Sequence, residues 1–249
     1  MTEQDLQIPM QDGVCDAVFF SPDTSVPLPG VLHLPDIGSI RPAHREMARR
    51  LSSEGYAVLL VNPFYRTSPP PVFTFPRVTG EPRTVQRMAE LMAPLTPEAQ
   101  EQDAAAYVDF LMAQSPVRPG SAGAVGYCFS GALALRAAAV RPKAIAAIAS
   151  FHGGGLYKAD NPNSPHLVLP RVKAHLYFGH ATNDKSMDAE AIQHFEQSLT
   201  AWGGKYESET YAGAAHGWTV PDNPVFNPPQ AERAFHKLTE LFASTLQKQ

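Results

Sequence analysis

Beyond residue 30 the sequence alternates short apolar runs with stretches of helical periodicity, and this rhythm restricts the fold more than any other feature. Segments 30–34, 57–61, 123–127, 144–149, 174–178 and 205–211 have strand length. Between them, Pro42 opens a stretch whose Ala43, Met47, Ala48 and Leu51 share one helical face. Segments 97–112, 129–140, 187–202 and 228–246 also read as helices. Strands joined through helices run parallel, so an α/β fold is expected: a mostly parallel central sheet with helices on both faces. Ahead of it, 6–10 and 14–20 flank Asp12-Gly13, a hairpin signal that predicts a small antiparallel start.

A chain of 249 residues fits one domain of this kind, and no linker or repeat divides residues 1–249. The rhythm breaks at 67–97, where Pro69-Pro70-Pro71 is followed by Phe73, Phe75, Arg77, Arg83, Arg87 and Met92. A connection this long reads as a lid or binding loop, with a tolerated surface insertion as the alternative. Residues 83–92 have the length for a short helix.

The net charge of -4, without a block of like charges, argues against a nucleic-acid partner. The opening MTEQDLQIPMQDG lacks the basic and apolar regions of a signal peptide, and no apolar run approaches the roughly 20 residues that span a bilayer. A cytoplasmic location away from membranes is therefore expected. The two cysteines, Cys15 and Cys128, make no disulfide framework and no Cys-X-X-Cys pair.

Cys128 stands where an apolar strand gives way at once to a helix, within Gly126-Tyr127-Cys128-Phe129-Ser130-Gly131. A nucleophile on such a turn needs small neighbours, because strand and helix backbones come close. The helix dipole favours a thiolate there, and the backbone N–H of Phe129 faces the place where an oxyanion forms. Cys15, in a strand without this setting, reads as structural. An acid and a histidine follow in the order such a fold uses: Asp184 in the loop after the strand 174–178, then His216 in a small-residue loop after the last strand. Both lie at carboxyl ends of strands, where open α/β sheets gather their sites.

Position selects His216 among nine histidines. His44, His194 and His236 on helices, and His166 in a Pro/Asn-rich loop, read as solvated. His33 and His175 on strands read as structural, and His152 and His180 as adjacent to the site. The histidines show no metal-ligand spacing, so no metal is expected.

These residues resemble the dienelactone hydrolase family, also called carboxymethylenebutenolidases. The resemblance covers nearly the whole chain. It rests on the elbow, the Asp184 loop, Ala215-His216-Gly217-Trp218, and Pro35-Asp36-Ile37-Gly38 followed by Val61-Asn62-Pro63-Phe64-Tyr65. It implies an α/β-hydrolase fold and hydrolysis of a small-molecule lactone or ester by Cys128, His216 and Asp184, through a thioacyl intermediate and without a cofactor. It also makes the N–H of Ile37 the second oxyanion donor beside Phe129, and places Asp36, one methylene shorter than the family's usual glutamate, near the sulfur. Tyr65, Phe129, Trp218 and the insertion's phenylalanines are expected to line an apolar pocket. The chain departs from the family in two places. Ser130-Gly131 replaces Gly-Gly. After His216 come Gly217, Trp218, Thr219 and Val220, with no arginine to hold a substrate carboxylate. Arg83 or Arg87 is the substitute the insertion offers. The lost arginine favours a second reading, an esterase or thioesterase with the same three residues; a silent hydrolase fold that only binds a ligand is a further alternative, against which the intact nucleophile, acid and histidine argue.

Overall fold

The structure, a computed structural model, describes residues 1–246. Its centre is an eight-stranded sheet in the order β1-β2-β4-β3-β5-β6-β7-β8. The hairpin β1 (Thr2–Met10) and β2 (Gly13–Ser21) is antiparallel and closes at the Met10–Gly13 pair, as Asp12-Gly13 predicts. β2 also runs antiparallel to β4 (Ala57–Val61). The remaining neighbours are parallel: β3 (Gly30–Leu34), β5 (Ala122–Tyr127), β6 (Ile145–Phe151), β7 (His175–Ala181) and β8 (Tyr206–Tyr211).

Successive strand residues face opposite layers, so each central strand feeds two cores. Val31, Val58, Leu60 and Val125 pack against Ala48 and Leu51 of α1 (Pro42–Ser53) and Leu238 and Phe242 of α6 (Pro228–Leu246). On the other face, Leu32, Leu59 and Ala124 meet Tyr107 of α3 (Pro97–Met112), Leu133 of α4 (Ser130–Val140) and Phe195 of α5 (Ala189–Trp202). Both faces of strands such as β4 are thus covered, and its uniformly apolar sequence follows from that.

The insertion carries α2 (Pro82–Met92). It is not a free surface loop: Val72, Leu91 and Leu95 bury with Ile37 and Phe64, while Phe73, Met92 and Phe129 pack alongside. Several expected boundaries move. α5 starts two residues later than the periodicity suggests, because Asp188 caps it by accepting the N–H of Ala191. β7 runs on through His180, which places that residue in the sheet and not in a loop. A short 3-10 helix, Pro165–Arg171, has no counterpart in the sequence reading.

The order reverses around β3, which has β4 on one side and β5 on the other. A crevice opens at such a switch point, beyond the strands' carboxyl ends. The loops that follow β3 and β5 carry Asp36-Ile37 and Cys128 to it.

Candidate active site

Cys128 has φ of +62°, a left-handed conformation that a residue with a side chain adopts only under strain. The turn survives because its neighbours leave room. A Cβ on Gly126 would lie 2.1 Å from the carbonyl oxygen of Ser130, and one on Gly131 would lie 2.1 Å from Ser150 Oγ. Ser130 is more than a tolerated change from glycine. Its buried hydroxyl donates to the Leu34 carbonyl at 2.7 Å and accepts the Tyr127 N–H at 3.0 Å, tying the ends of β3 and β5 together.

Asp184 and His216 converge on this turn. His216 Nε2 lies 3.1 Å from Cys128 Sγ, and its Nδ1 lies 2.5 Å from Asp184 Oδ2. The Asp184 side chain is only 4% exposed, whereas that of His216 is 32% exposed, so the acid is anchored and the ring reaches toward solvent. The other oxygen of Asp184 accepts the N–H of Ser186 at 2.8 Å and its hydroxyl at 2.6 Å. Burial opposes a charge on His216, but the bonds to Asp184 and to the sulfur override it and push its pKa up to about 10. Burial likewise opposes the charge of Asp184, and His216 and Ser186 still hold its carboxyl below the usual value. The sulfur therefore faces a cation at neutral pH, an arrangement that stabilises negative charge on sulfur.

Ile37 follows β3 and Phe129 begins the turn into α4. Among the described residues, neither of their backbone N–H groups has an acceptor, so both are available to a bound oxygen. The Ile37 turn is held from three sides. Asp36 Oδ1 accepts the Gly38 N–H at 2.8 Å, His44 Nε2 accepts the Asp36 N–H at 3.2 Å, and Arg41 grips both Asp36 oxygens at 2.5 and 2.9 Å. Arg41 extends the grip to Asp222 at 2.7 and 2.9 Å. Burial works against the Asp36 charge; the His44 ring and the Arg41 guanidinium beside it hold the carboxyl well below the usual range.

Several expectations need correction. Asp36 is engaged with Arg41 and the Gly38 N–H, and no bond joins it to Cys128. Tyr65 turns away from the crevice: its hydroxyl donates to Asp103 at 2.9 Å and Arg66 lies over its ring. Arg83 stacks on Phe75, and Arg87 donates to the Val72 carbonyl and pairs with Glu90. Trp218 is fully buried in the core between Tyr211 and His152, and does not line a pocket. His44 is not solvated but completely buried, because His33 of β3 and Asp36 of the loop after it supply partners beneath α1. His180 bonds Ser208 and packs against Phe195, away from Cys128. His152 does adjoin the elbow: its Nδ1 accepts the Cys128 N–H at 3.1 Å, and its ring lies 5.2 Å from that of His216. Cys15 is buried under Asn62 and Tyr107, and desolvation pushes its thiol up to about 12, an inert setting.

Sequence reasoning missed Arg41, Asp222, Ser186 and Thr219. Ser186 had a signal, since a serine two residues after an aspartate is a common side-chain turn. Asp222 had none, because nothing local joins it to Arg41 across 181 positions.

A strained cysteine elbow at the switch point of this sheet, with an acid and a histidine following in that order, defines an α/β-hydrolase. Residues 15–246 match the sequence profile of the dienelactone hydrolase family, so the chain belongs to that family and is a hydrolase. A carboxymethylenebutenolidase of Rhodococcus opacus is 26% identical over 216 residues, 85% of this chain and 79% of its own length. A Klebsiella pneumoniae protein assigned provisionally to the dienelactone hydrolases has a solved structure similar at a TM-score of 0.85 and 20% identity, covering 97% of this chain and 98% of that one. The dienelactone hydrolase-like promiscuous phosphotriesterase P91, from metagenomic libraries, follows at 0.77 and 20%, covering 98% and 99%. No helix among the described residues is long and apolar enough to cross a membrane.

Proposed function

We propose that this hydrolase cleaves neutral carboxylic esters or lactones, with Cys128 as nucleophile, His216 as acid and then base, and Asp184 as the group that orients and charges the ring. The observation that carries the reading is the continuous line from Asp184 Oδ2 through His216 to Cys128 Sγ, at 2.5 and 3.1 Å. The proton between Cys128 Sγ and His216 Nε2 rests on the ring, and the sulfur attacks the carbonyl carbon. The carbonyl oxygen becomes an oxyanion that accepts from the N–H groups of Ile37 and Phe129, each such donor contributing about 3 kcal/mol to the transition state. The tetrahedral centre collapses, the C–O bond breaks, and His216 returns its proton to the leaving alcohol. Water, deprotonated by the now neutral ring, then hydrolyses the thioester and restores the sulfur beside the charged ring.

Charge points to a neutral acyl group. Beside the Ile37 turn, Arg41 is consumed by Asp36 and Asp222, one cation between two carboxylates. A substrate carboxylate would meet net negative charge there, while Ile37, Phe64 and Phe129 offer an apolar wall. The expected result is that kcat/KM for p-nitrophenyl butyrate exceeds that for a lactone bearing a carboxylate, such as dienelactone, by about ten-fold or more. Intact-protein mass spectrometry should capture a butyryl adduct that disappears in Cys128→Ala. Full hydrolytic activity in Cys128→Ala would sink the assignment, and a preference for the carboxylate-bearing lactone would sink the neutral-substrate reading alone.

A further inference from the structure

Behind the elbow, on the face of the sheet covered by α1 and α6, lies a cavity of about 280 Å³ that shares no residue with the Cys128–His216–Asp184 line. Its walls are mostly apolar: Met47 and Leu51 from α1, Phe151 at the end of β6, and Ala234 and Leu238 from α6. Arg50 and Glu232 at its edge bond to each other through both pairs of atoms, at 2.7 and 2.6 Å, and Arg50 also lies 3.8 Å over the Phe235 ring. Glu46, also in the lining, pairs with Arg49, so the edge offers no unpaired cation to an anion.

Two hydroxyls that line the cavity lack acceptors. Tyr127, the residue before the nucleophile, makes no hydrogen bond through its phenol among the described residues, and burial holds that phenol protonated. Thr219 is less obvious. His152 is fully buried, and desolvation with the nearby His216 charge depresses its pKa to about 3, so its ring is neutral. Because Nδ1 accepts the Cys128 N–H, which it shares with the Phe151 carbonyl, the ring proton resides on Nε2 and is donated to Thr219 Oγ1 at 2.8 Å. The hydroxyl proton of Thr219 is then left to point elsewhere, and Thr219 lines the cavity.

We infer that this cavity is a second ligand site, for a neutral bicyclic aromatic ketone or a compound of like shape whose carbonyl oxygen accepts from Thr219 and Tyr127. A dry apolar cavity of about 150 Å³ accommodates one benzene ring, so about twice that volume suits two fused rings. Neutrality follows from the closed Arg50–Glu232 and Arg49–Glu46 pairs, and the carbonyl from two donors in the lining with nothing to accept from them. The site stands apart from whichever acyl bond Cys128 cleaves, and adjoins the elbow through Tyr127 and through the Thr219–His152–Cys128 hydrogen bonds.

The test is isothermal titration calorimetry of the full chain with 1-tetralone, a neutral ketone that the ester chemistry does not consume. Tetralin, the same rings without the carbonyl, is the control. Saturable 1:1 binding of tetralone is expected, with tetralin weaker by about ten-fold, the effect of the carbonyl hydrogen bonds. Alkylation of Cys128 with iodoacetamide should leave tetralone affinity unchanged. Ala231→Phe, on the half-exposed rim, should abolish binding, and Thr219→Val should weaken it by about five-fold or more. If Ala231→Phe does not fold by circular dichroism, the near-isosteric Thr219→Val and the alkylated protein decide the matter. Absence of saturable heat, equal affinity for tetralin, or loss of binding on alkylation with none in Thr219→Val would each overturn the inference.

Discussion

His216 sits with its Nε2 3.1 Å from Cys128 Sγ and its Nδ1 on Asp184, so one ring joins the sulfur to a buried carboxylate. The ring keeps its proton up to about pH 10. Catalysis by the charged ring beside the sulfur should therefore persist through neutral pH and fall on the alkaline side, as that proton is lost. A kcat/KM profile for a neutral ester should show its alkaline limb near pH 10. Asp184→Asn removes the carboxylate that supports the charge, so the limb should move to lower pH and kcat should drop on the order of 10²- to 10⁴-fold. An alkaline limb that stays in place in Asp184→Asn would mean that another group sets it.

The elbow's backbone is as constrained as its side chains. In Gly126→Ala the new methyl meets the Ser130 carbonyl at 2.1 Å, a contact with backbone that cannot swing aside. The turn must open, and the loss of stability should be about 3 kcal/mol or more, read as a lowered urea midpoint. Ser130→Gly, which restores the family's pair of small residues, removes the bond to Leu34 and should cost about 1 kcal/mol. If Ser130→Gly is neutral, the hydroxyl does not hold β3 and β5 together.

Most of this architecture was legible because it depends on local pattern. Apolar runs of strand length between helical stretches predicted the parallel sheet, and Gly126-Tyr127-Cys128 predicted a turn whose φ is indeed positive. What stayed hidden depends on which distant atoms meet. His44 looks solvated on a helix face, yet His33 and Asp36 surround it from another element. Trp218 follows His216 by two residues, but the turn there, closed by its N–H on the Ala215 carbonyl, sends it into the core. The insertion's role was ambiguous in sequence, since Val72, Leu91 and Leu95 become a buried set only when Ile37 and Phe64 meet them.

Arg41 is the part of the site with the largest consequence for stability. It is mostly buried and holds Asp36, itself buried, against Asp222. Arg41→Met leaves the Asp36 carboxylate enclosed without its partner, for which about 3–5 kcal/mol is the usual cost. Asp36 also fixes Gly38 beside the Ile37 N–H, so the same change should lower kcat more than it raises KM. Arg41→Lys keeps the charge but not the fork, and should recover only part of the loss. Steady-state kinetics and denaturant titration of the two variants check this, and equal behaviour of Lys and Met would show that charge is irrelevant there.

The buried histidines make the fold sensitive to acid. Burial lowers the pKa of His152 to about 3 and of His180 to about 4, and depresses His33 and His44 as well. In the unfolded chain each returns to 6.5. Between pH 6.5 and about 4 the unfolded state thus binds more protons than the folded one, and stability falls as the solution is acidified. Each neutral histidine contributes a slope of about 1.4 kcal/mol per pH unit in that window. His216 has the opposite sign. Its folded value of about 10 lies above 6.5, so the stability it adds is complete below pH 6.5 and is lost as pH rises toward 10. Together they predict a maximum near pH 6.5, with a steep acid side and a shallower alkaline one. Urea midpoints measured from pH 4.5 to 9.5 should trace that asymmetry. His180→Phe, which removes one buried group that resists protonation, should flatten the acid side; an unchanged slope would mean His180 takes up its proton in the folded state.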